Sequence, residues 1–175
     1  MSRINPIQPS QAEASTRDTL ANIKSKIGMV PNLYATFAHS PAALNAYLAM
    51  NDALGAGRLS ARERESIALA VGQANRCQYC VSAHTLIGKG SGLSEQEIQQ
   101  ARAAEADNPL AGLAAKIVAS RGQLSDADIH SAQVLGLDDE VIVEVVANVA
   151  LNILTNYLNH IAETEIDFPV VALDD

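Results

Sequence analysis

The spacing of apolar residues constrains this chain more than any other feature of its sequence. Apolar residues recur at every third or fourth position, as at Ile67, Ala68, Val71 and Ala74, which is typical of a helix buried on one side. They do not show the alternation that a half-buried strand requires. Aromatic residues make up only 3% of the chain, so Ala, Leu, Ile and Val must build the core. The sequence therefore predicts an all-α protein.

Turn and capping residues divide the chain into helices. A first short helix is predicted to end near Gly28. Capping boxes, in which a Ser is followed three residues later by a Glu, are predicted at Ser60–Glu63 and Ser94–Glu97. Prolines that suit the start of a helix are Pro31, Pro41 and Pro109. The last segment, 166–175, is predicted to be extended and to pack on a neighbour.

The length of 175 residues predicts one domain, residues 1–175, because a chain of this size can bury a sizeable core. The net charge is −8, and no basic stripe is present. We therefore expect neither nucleic acid nor an anionic membrane surface as a partner, since both require clustered Lys and Arg.

Neither end of the chain predicts a membrane segment. The N-terminus has no apolar run of signal-peptide length. The longest apolar stretch, near the C-terminus, is interrupted by Glu144, Asn148, Asn152 and Asn156, which fits a buried core helix better than a membrane span. We expect a cytoplasmic protein, in which a close cysteine pair is more often catalytic or metal-binding than structural.

The stretch NRCQYCVSAH, Asn75–His84, holds both cysteines of the chain. On a helix, Cys77, Cys80 and His84 share one face, because they are three, four and seven residues apart. Cys77 would lie near the helix N-terminus, where the backbone N–H groups favour an anion and a thiolate can form well below the usual pKa of about 8.5. His84 adds a proton acceptor.

Glu65 lies twelve residues before Cys77. In one unbroken helix that separation would be roughly 18 Å, too far for contact. Glu65 can reach the cysteines only if the chain turns within the polar segment 73–76 and the next helix folds back. Composition and spacing alone do not select Glu65 over an ordinary surface carboxylate.

The residues alone leave several uses of this cluster open. Cys77, Cys80 and His84 offer three ligands for Zn²⁺, but a zinc site usually requires a fourth ligand or water. The remaining histidines, which show no paired spacing and are interpreted as ordinary, are His39, His130 and His160. A buried structural pair of cysteines is a further alternative, and redox chemistry of the dithiol is another.

Two weaker patterns involve the last apolar stretch. Asn148, Asn152 and Asn156 recur every four residues, and polar contact between helices is favoured over catalysis for them. Sliding the segment 65–84 onto 144–163 pairs two glutamates, and it pairs both cysteines with asparagines. This similarity indicates either a duplicated helical pair or two Ala-rich helices of similar composition.

A glutamate, eleven residues and then C-x-x-C-x-x-x-H describe ESIALAVGQANRCQYCVSAH, Glu65–His84. This pattern, with the preceding leader VPNLYATFAHSPAALNAYLAMNDALGAGRLSARERE, resembles the AhpD-like alkylhydroperoxidases of the carboxymuconolactone decarboxylase superfamily, in their peroxidase-related branch. The resemblance covers about residues 28–165. It implies an all-α bundle in which the C-x-x-C motif begins a helix of a helical hairpin. It also implies homo-oligomers, as trimers or hexamers.

The resemblance also implies roles for the motif residues. Cys80 corresponds to the peroxidatic cysteine, Cys77 to the resolving cysteine, and Glu65 and His84 to a proton relay. No bound cofactor or metal is implied, and the expected reductant is a dithiol or a lipoyl-type protein. Well-studied members have a second histidine where this chain has Tyr79, so a simpler relay is expected here.

The sequence thus predicts a thiol-dependent peroxidase that acts on hydroperoxides. A thiol–disulfide oxidoreductase or redox sensor that is not specialised for peroxide would use the same dithiol, and a zinc module remains a third possibility. Decarboxylases of the same superfamily act on lactones without the cysteine pair, so both cysteines argue against that activity.

Overall fold

The structure of the protein, a computed structural model, describes residues 2–174. Within this range it contains helices and no strand, so the all-α prediction is confirmed. A 3₁₀ turn at Pro9–Gln11 precedes the α-helices α1 (Ala14–Ile27), α2 (Asn32–Phe37), α3 (Pro41–Gly55), α4 (Ala61–Ala74), α5 (Gln78–Gly90), α6 (Glu95–Arg102), α7 (Pro109–Ser120), α8 (Asp126–Val134) and α9 (Asp139–Ala162).

The helices begin and end where the capping residues predict. The Ser60 side chain accepts a hydrogen bond from the backbone N–H of Glu63, whose carboxylate accepts one from the N–H of Ser60. The same reciprocal box lies at Ser94–Glu97. Helix α1 ends at Gly28, which has a φ of 90°, a conformation that glycine adopts at little cost. These local signals therefore determine the helix boundaries.

Helix α4 is the centre of the bundle. It packs against α5, α6, α7 and α9, and all residues from Ser66 to Gly72 are buried. A Cβ atom on Gly72 would lie 3.5 Å from Cβ of Cys80, so the glycine permits close approach of α5. The packing of α4 on α5 places the cysteine segment directly against the core.

The buried apolar residues form two clusters. The larger one joins α4, α6, α7 and α9. The smaller one, which we call the cysteine cluster, joins α1, α2, α3 and α5 and contains Cys77 and Cys80 together with Leu20, Leu33, Phe37, Leu44 and Tyr79. Both cysteines therefore lie inside apolar packing.

Helix α9 is the one helix among residues 2–174 that is long and apolar enough to cross a membrane by length and composition. In the structure it packs against α2, α3, α4, α5 and α7. Its buried face includes Val145, Val149 and Leu151, as expected for a core helix.

The segment after α9 has no regular structure up to residue 174, and it packs on its own chain. The Asp167 carboxylate accepts hydrogen bonds from the N–H of Asn32 at 2.7 Å and from the Tyr79 hydroxyl at 2.8 Å. The N–H of Val171 donates to the Ser82 hydroxyl at 3.0 Å. The predicted extended tail therefore covers the first turns of α5, and its neighbour is the hairpin of the same chain.

The end of this tail is held by a buried arginine. The Arg102 side chain is only 2% exposed, and it pairs with the Asp174 carboxylate at 2.7 Å. It also donates to the carbonyl oxygen of Ala172 at 2.7 Å and to the Gln73 amide oxygen. A buried guanidinium is costly without such partners, so the tail is part of the folded domain.

The structure does not show a duplicated helical pair. Residues 65–84 span the end of α4, a turn and the start of α5, whereas residues 144–163 continue through α9 to its C-cap without a turn. The similarity between the two segments therefore reflects Ala-rich composition. Their shared helical periodicity does not reproduce the turn.

We predict that Glu144→Ala destabilises the fold by about 1–3 kcal/mol. The Glu144 carboxylate accepts hydrogen bonds from the N–H groups of Arg58 at 2.8 Å and Leu59 at 3.1 Å, in the loop that leads into α4. Removal of the carboxylate leaves these donors without their partner. Urea denaturation followed by circular dichroism measures the loss.

The matched control for this prediction is Glu140→Ala on the same helix. Glu140 pairs only with the side chain of Arg58, and its own side chain is 65% exposed, so the change should cost less than about 1 kcal/mol. Equal effects of the two substitutions would contradict the role assigned to Glu144.

We predict that Tyr79→Phe loosens the tail. The Tyr79 hydroxyl accepts from the buried N–H of Leu33 at 3.2 Å and donates to Asp167, and both bonds are lost in the variant. Hydrogen exchange at the Val171 amide should accelerate, and the unfolding free energy should fall by about 1–3 kcal/mol. The control is Tyr157→Phe, at a side chain that is 54% exposed on α9. Unchanged Val171 exchange in Tyr79→Phe would refute the proposed anchor.

Candidate active site

A tight turn between α4 and α5 brings the predicted site residues together. Helix α4 ends at Ala74, Arg76 adopts a left-handed conformation with a φ of 55°, and α5 begins after Cys77. The Cys77 N–H donates to the carbonyl oxygen of Gly72 at 2.8 Å. The Asn75 amide donates to the Asn156 oxygen at 2.9 Å, which ties the turn to α9. The turn that Glu65 requires is therefore present at the predicted position.

The two cysteines occupy the N-terminus of α5 and form a disulfide, with Cα atoms 5.3 Å apart. Cys77 is the N-cap, and its sulfur accepts a hydrogen bond from the N–H of Cys80 at 3.4 Å. Both residues are nearly inaccessible, with exposures of 1% and 3%. The structure therefore describes the oxidised form of the dithiol, enclosed by the cysteine cluster.

Glu65 and His84 face each other across the hairpin. Oε2 of Glu65 lies 2.8 Å from Nδ1 of His84, and the two side chains are 15% and 22% exposed. An ionised carboxylate at this position holds a proton on Nδ1 and leaves Nε2 as the acceptor of the ring. His84 follows Cys80 by one helical turn. The pair therefore provides a hydrogen-bonded carboxylate and imidazole within the hairpin that carries the cysteines.

A small cavity adjoins this pair. Its volume is about 50 Å³, which suits only a few non-hydrogen atoms. The polar residues that line it with Glu65 and His84 are Tyr47, Asn51, Arg64, Asn148, Asn152 and Thr155. Burial raises the pKa of Tyr47 well above its usual value, and the neighbouring Tyr34 raises it further. Tyr47 therefore remains a neutral phenol at physiological pH.

Helix α9 supplies the polar side chains opposite the hairpin. The Asn148 and Asn152 amides donate to the carbonyl oxygens of Glu144 and Asn148, within their own helix. Two turns further on, Nδ2 of Asn159 donates to Sγ of Cys80 at 3.3 Å. Sequence reasoning did not assign a role to Asn159. Asn159 lies three residues after Asn156, outside the four-residue spacing of the asparagines singled out above, and the sequence does not identify its partner.

Tyr79 replaces the second histidine that the resemblance implies, and it anchors the C-terminal tail. Its hydroxyl is occupied by Leu33 and Asp167, and its ring contacts Phe168 edge to face at a centroid distance of 5.6 Å. Burial raises the pKa of Tyr79 strongly, and the nearby Asp167 carboxylate adds to the increase. Tyr79 therefore carries no proton to or from a reacting group near neutral pH.

The zinc alternative requires thiolates and a set of converging ligands. Both cysteine sulfurs are bonded to each other in this structure. Among residues 2–174, no group of three or more His, Cys, Asp or Glu side chains is placed to hold a metal ion. In this oxidised state, Cys77, Cys80 and His84 do not form a set of metal ligands.

Comparisons with known proteins agree with this arrangement. Residues 41–115 match the model of the carboxymuconolactone decarboxylase family. An uncharacterised peroxidase-related protein with an AhpD core from Ralstonia eutropha JMP134 shares the fold with a TM-score of 0.84 and 27% identity, over 95% of this chain and 92% of that one. A search of curated proteins finds no significant match.

More distant structures share the fold alone. A peroxidase-related protein from a Silicibacter species has a TM-score of 0.78 and 23% identity, over 93% of this chain and 91% of that one. The debrominase Bmp8, in complex with 2,3,4-tribromopyrrole, has a TM-score of 0.76 and 17% identity, over 94% and 91%. In the match over residues 41–115, in its fold and in its C-x-x-C hairpin, the chain is similar to AhpD-like proteins of the carboxymuconolactone decarboxylase superfamily.

Proposed function

We propose that the protein is a dithiol peroxidase that reduces small hydroperoxides. The observation that carries this proposal is the hydrogen bond between Glu65 and His84, formed one helical turn from Cys80. A cysteine peroxidase requires a thiolate, a group that removes the thiol proton and a second thiol that traps the sulfenic acid. The hairpin brings together one candidate for each requirement.

The reaction begins with the reduced dithiol. His84 accepts the thiol proton of Cys80, and Glu65 stabilises the resulting imidazolium. The thiolate attacks the terminal oxygen of the hydroperoxide, the O–O bond breaks, and the leaving alkoxide takes the proton and departs as an alcohol. The sulfur of Cys80 is then a sulfenic acid.

Cys77 completes the oxidation. Its sulfur displaces the hydroxyl group of the Cys80 sulfenic acid, which leaves as water, and the disulfide forms. An external dithiol then restores both thiols by exchange and is itself oxidised to a disulfide. We propose a small dithiol or a lipoyl-type protein as this reductant, in the cytoplasm, with no bound cofactor.

We assign Cys80 as the attacking cysteine and Cys77 as the resolving cysteine from the family pattern. The geometry also allows the reverse assignment, which can be tested. The sulfur of Cys77 accepts a backbone N–H at the helix N-terminus, and the sulfur of Cys80 accepts an amide N–H of Asn159. Each thiolate therefore has a donor. Cys80 is assigned the attack because it lies one turn from His84 and corresponds to the peroxidatic position.

The cavity beside Glu65 and His84 supports a small substrate. Its volume of about 50 Å³ accommodates hydrogen peroxide or a short alkyl hydroperoxide. The debrominase, by contrast, shares only the fold with this chain, at 17% identity. Debromination is therefore not the favoured reaction, and a brominated pyrrole is a suitable comparison substrate.

We predict that Cys80→Ser abolishes peroxide consumption, because it removes the sulfur that is proposed to attack the peroxide. Cys77→Ser should consume one equivalent of peroxide and stop, since the sulfenic acid has no resolving thiol. Glu65→Gln and His84→Gln should each slow the first step by about 100-fold. Peroxide consumption by Cys77→Ser is measured without reductant, because an added thiol would reduce the sulfenic acid directly. Turnover of the other variants is followed with dithiothreitol as the recycling reductant.

The controls for these variants are Glu95→Gln and His130→Gln. Both side chains are exposed and lie on α6 and α8. Both variants should retain the activity of the parent. One equivalent consumed by Cys80→Ser, with none consumed by Cys77→Ser, would reverse the order of the cysteines. Equal activity in all four site variants would refute the mechanism, and oxidation without turnover would indicate a redox sensor.

We also propose that the protein assembles with further copies of itself through α9. The exposed apolar residues Val143, Val146, Leu154, Tyr157 and Ile161 lie on one face of this helix by their spacing. We call this face the α9 stripe. It carries no charged side chain between its two ends, on a chain with a net charge of −8. An uncharged strip on an acidic protein is the surface at which two identical copies repel each other least.

A recess beside the α9 stripe supports the same proposal. It has a volume of about 360 Å³ and is lined by Ile4, Phe37, Leu154, Tyr157 and Ile161. A side chain from the stripe of a second copy can enter it. Exposed apolar patches of this kind mark interaction sites in soluble proteins.

We predict that Tyr157→Glu and Ile161→Glu convert the oligomer into monomers, because each places a charge in the contact. Sedimentation velocity measures the mass. The control is Val134→Glu on α8, at an apolar side chain that is 72% exposed outside the stripe, and it should leave the mass unchanged. A parent protein that sediments as a monomer would exclude this assembly.

A further inference from the structure

Asn159 makes a contact that neither the sequence motif nor the fold requires. It lies near the end of α9 and is 4% exposed. Its Nδ2 atom donates to Sγ of Cys80 at 3.3 Å, across 79 residues of sequence. The side chain of Cys80 is thereby joined to a helix outside the α4–α5 hairpin.

The Asn159 side chain is costly where it lies. Its Oδ1 atom is buried and has no hydrogen-bond partner within residues 2–174. A buried carbonyl without a partner destabilises a fold, and Leu would fill a similar space without that cost. The position is therefore occupied at the expense of stability, as is common where a polar group serves chemistry.

We propose that Asn159 is a thiolate-binding residue: its Nδ2–H stabilises the anionic sulfur of Cys80 before the sulfur attacks the hydroperoxide. The inference rests on the proposed function for its catalytic consequence, although the contact itself does not. An ionised sulfur accepts a stronger hydrogen bond than a thiol or a disulfide sulfur does. The bond therefore favours loss of the thiol proton.

The surroundings of Cys80 make such a donor necessary. The sulfur lies in apolar packing with Leu33, Phe37 and Leu44, and burial of this kind disfavours an anion. The other titratable side chains in the cysteine cluster are Tyr34, Tyr47 and Tyr79. Asp167 bonds to the Tyr79 hydroxyl, and Glu65 and His84 form their pair in the same hairpin. Within residues 2–174, Asn159 provides the side-chain hydrogen bond to this sulfur.

Asn159 also distinguishes the two cysteines. The donor to the Cys77 sulfur is the backbone N–H of Cys80, which no side-chain substitution removes. The donor to Cys80 is a side chain, so substitution alters that sulfur alone. We therefore expect loss of Asn159 to lower the thiolate fraction of Cys80 and to leave Cys77 unaffected.

The test measures ionisation of Cys80 in the Cys77→Ser background, where one thiol remains. The rate of alkylation by iodoacetamide is followed against pH, and its midpoint reports thiolate formation. Asn159→Leu should raise the midpoint by about one pH unit, a tenfold loss of thiolate at fixed pH below it. Asn159→Asp, which has nearly the same shape, should raise it further, because a carboxylate repels the thiolate.

The matched control is Asn156→Leu. Asn156 lies one turn earlier on α9, is completely buried and bonds to Asn75. Its loss costs stability without removing a contact to a cysteine, so the midpoint should stay at the parent value. Thermal denaturation shows whether each variant is folded. If Asn159→Leu does not fold, the comparison is made with Asn159→Asp alone.

Unchanged midpoints in both Asn159 variants would overturn the inference, and so would an equal shift in Asn156→Leu. The readout contains no peroxide, so it is independent of the proposed function. A shifted midpoint in a protein that does not reduce peroxide would support the thiolate-binding role and refute the peroxidase. A shifted midpoint with peroxide attack slowed in proportion would support both.

Discussion

The close packing of α4 against α5 determines where the functional groups of this protein lie. Gly72 allows the two helices to approach, and the turn before Cys77 reverses the chain. These features bring Glu65 to His84 at 2.8 Å, although 19 residues separate them. Without this reversal of the chain, Glu65 would lie far from the cysteines, and the residues of the motif would not form one site.

The position of the disulfide follows from what covers this hairpin. Helices α1 to α3 pack over the cysteines on one side, and the tail lies along the first turns of α5. Helix α9 presents polar side chains from the small cavity to the sulfur of Cys80. The dithiol therefore lies in a site with little water, where a single hydrogen bond or a single carboxylate has a large effect.

Local signals in the sequence predicted much of this arrangement. Capping residues and prolines marked the helix boundaries, and a polar segment marked the turn at residues 73–76. The contacts of Asn159 and Asp167 were not predictable in this way, because each joins residues more than 75 positions apart. The interpretation of a duplicated helical pair was wrong for a related reason, because composition indicates that a segment is helical but not where the helix ends. The family resemblance selected Glu65 and His84 as a pair, and the fold places them in direct hydrogen-bond contact.

The proposed reaction of the dithiol with hydroperoxide is best tested by the rate of thiol loss, measured in reduced, metal-free protein mixed with a slight excess of an organic hydroperoxide. Intact mass spectrometry follows the product. The account predicts rapid loss of both thiols and the mass of one internal disulfide, the state that the structure describes. Thiols that survive for hours would contradict it.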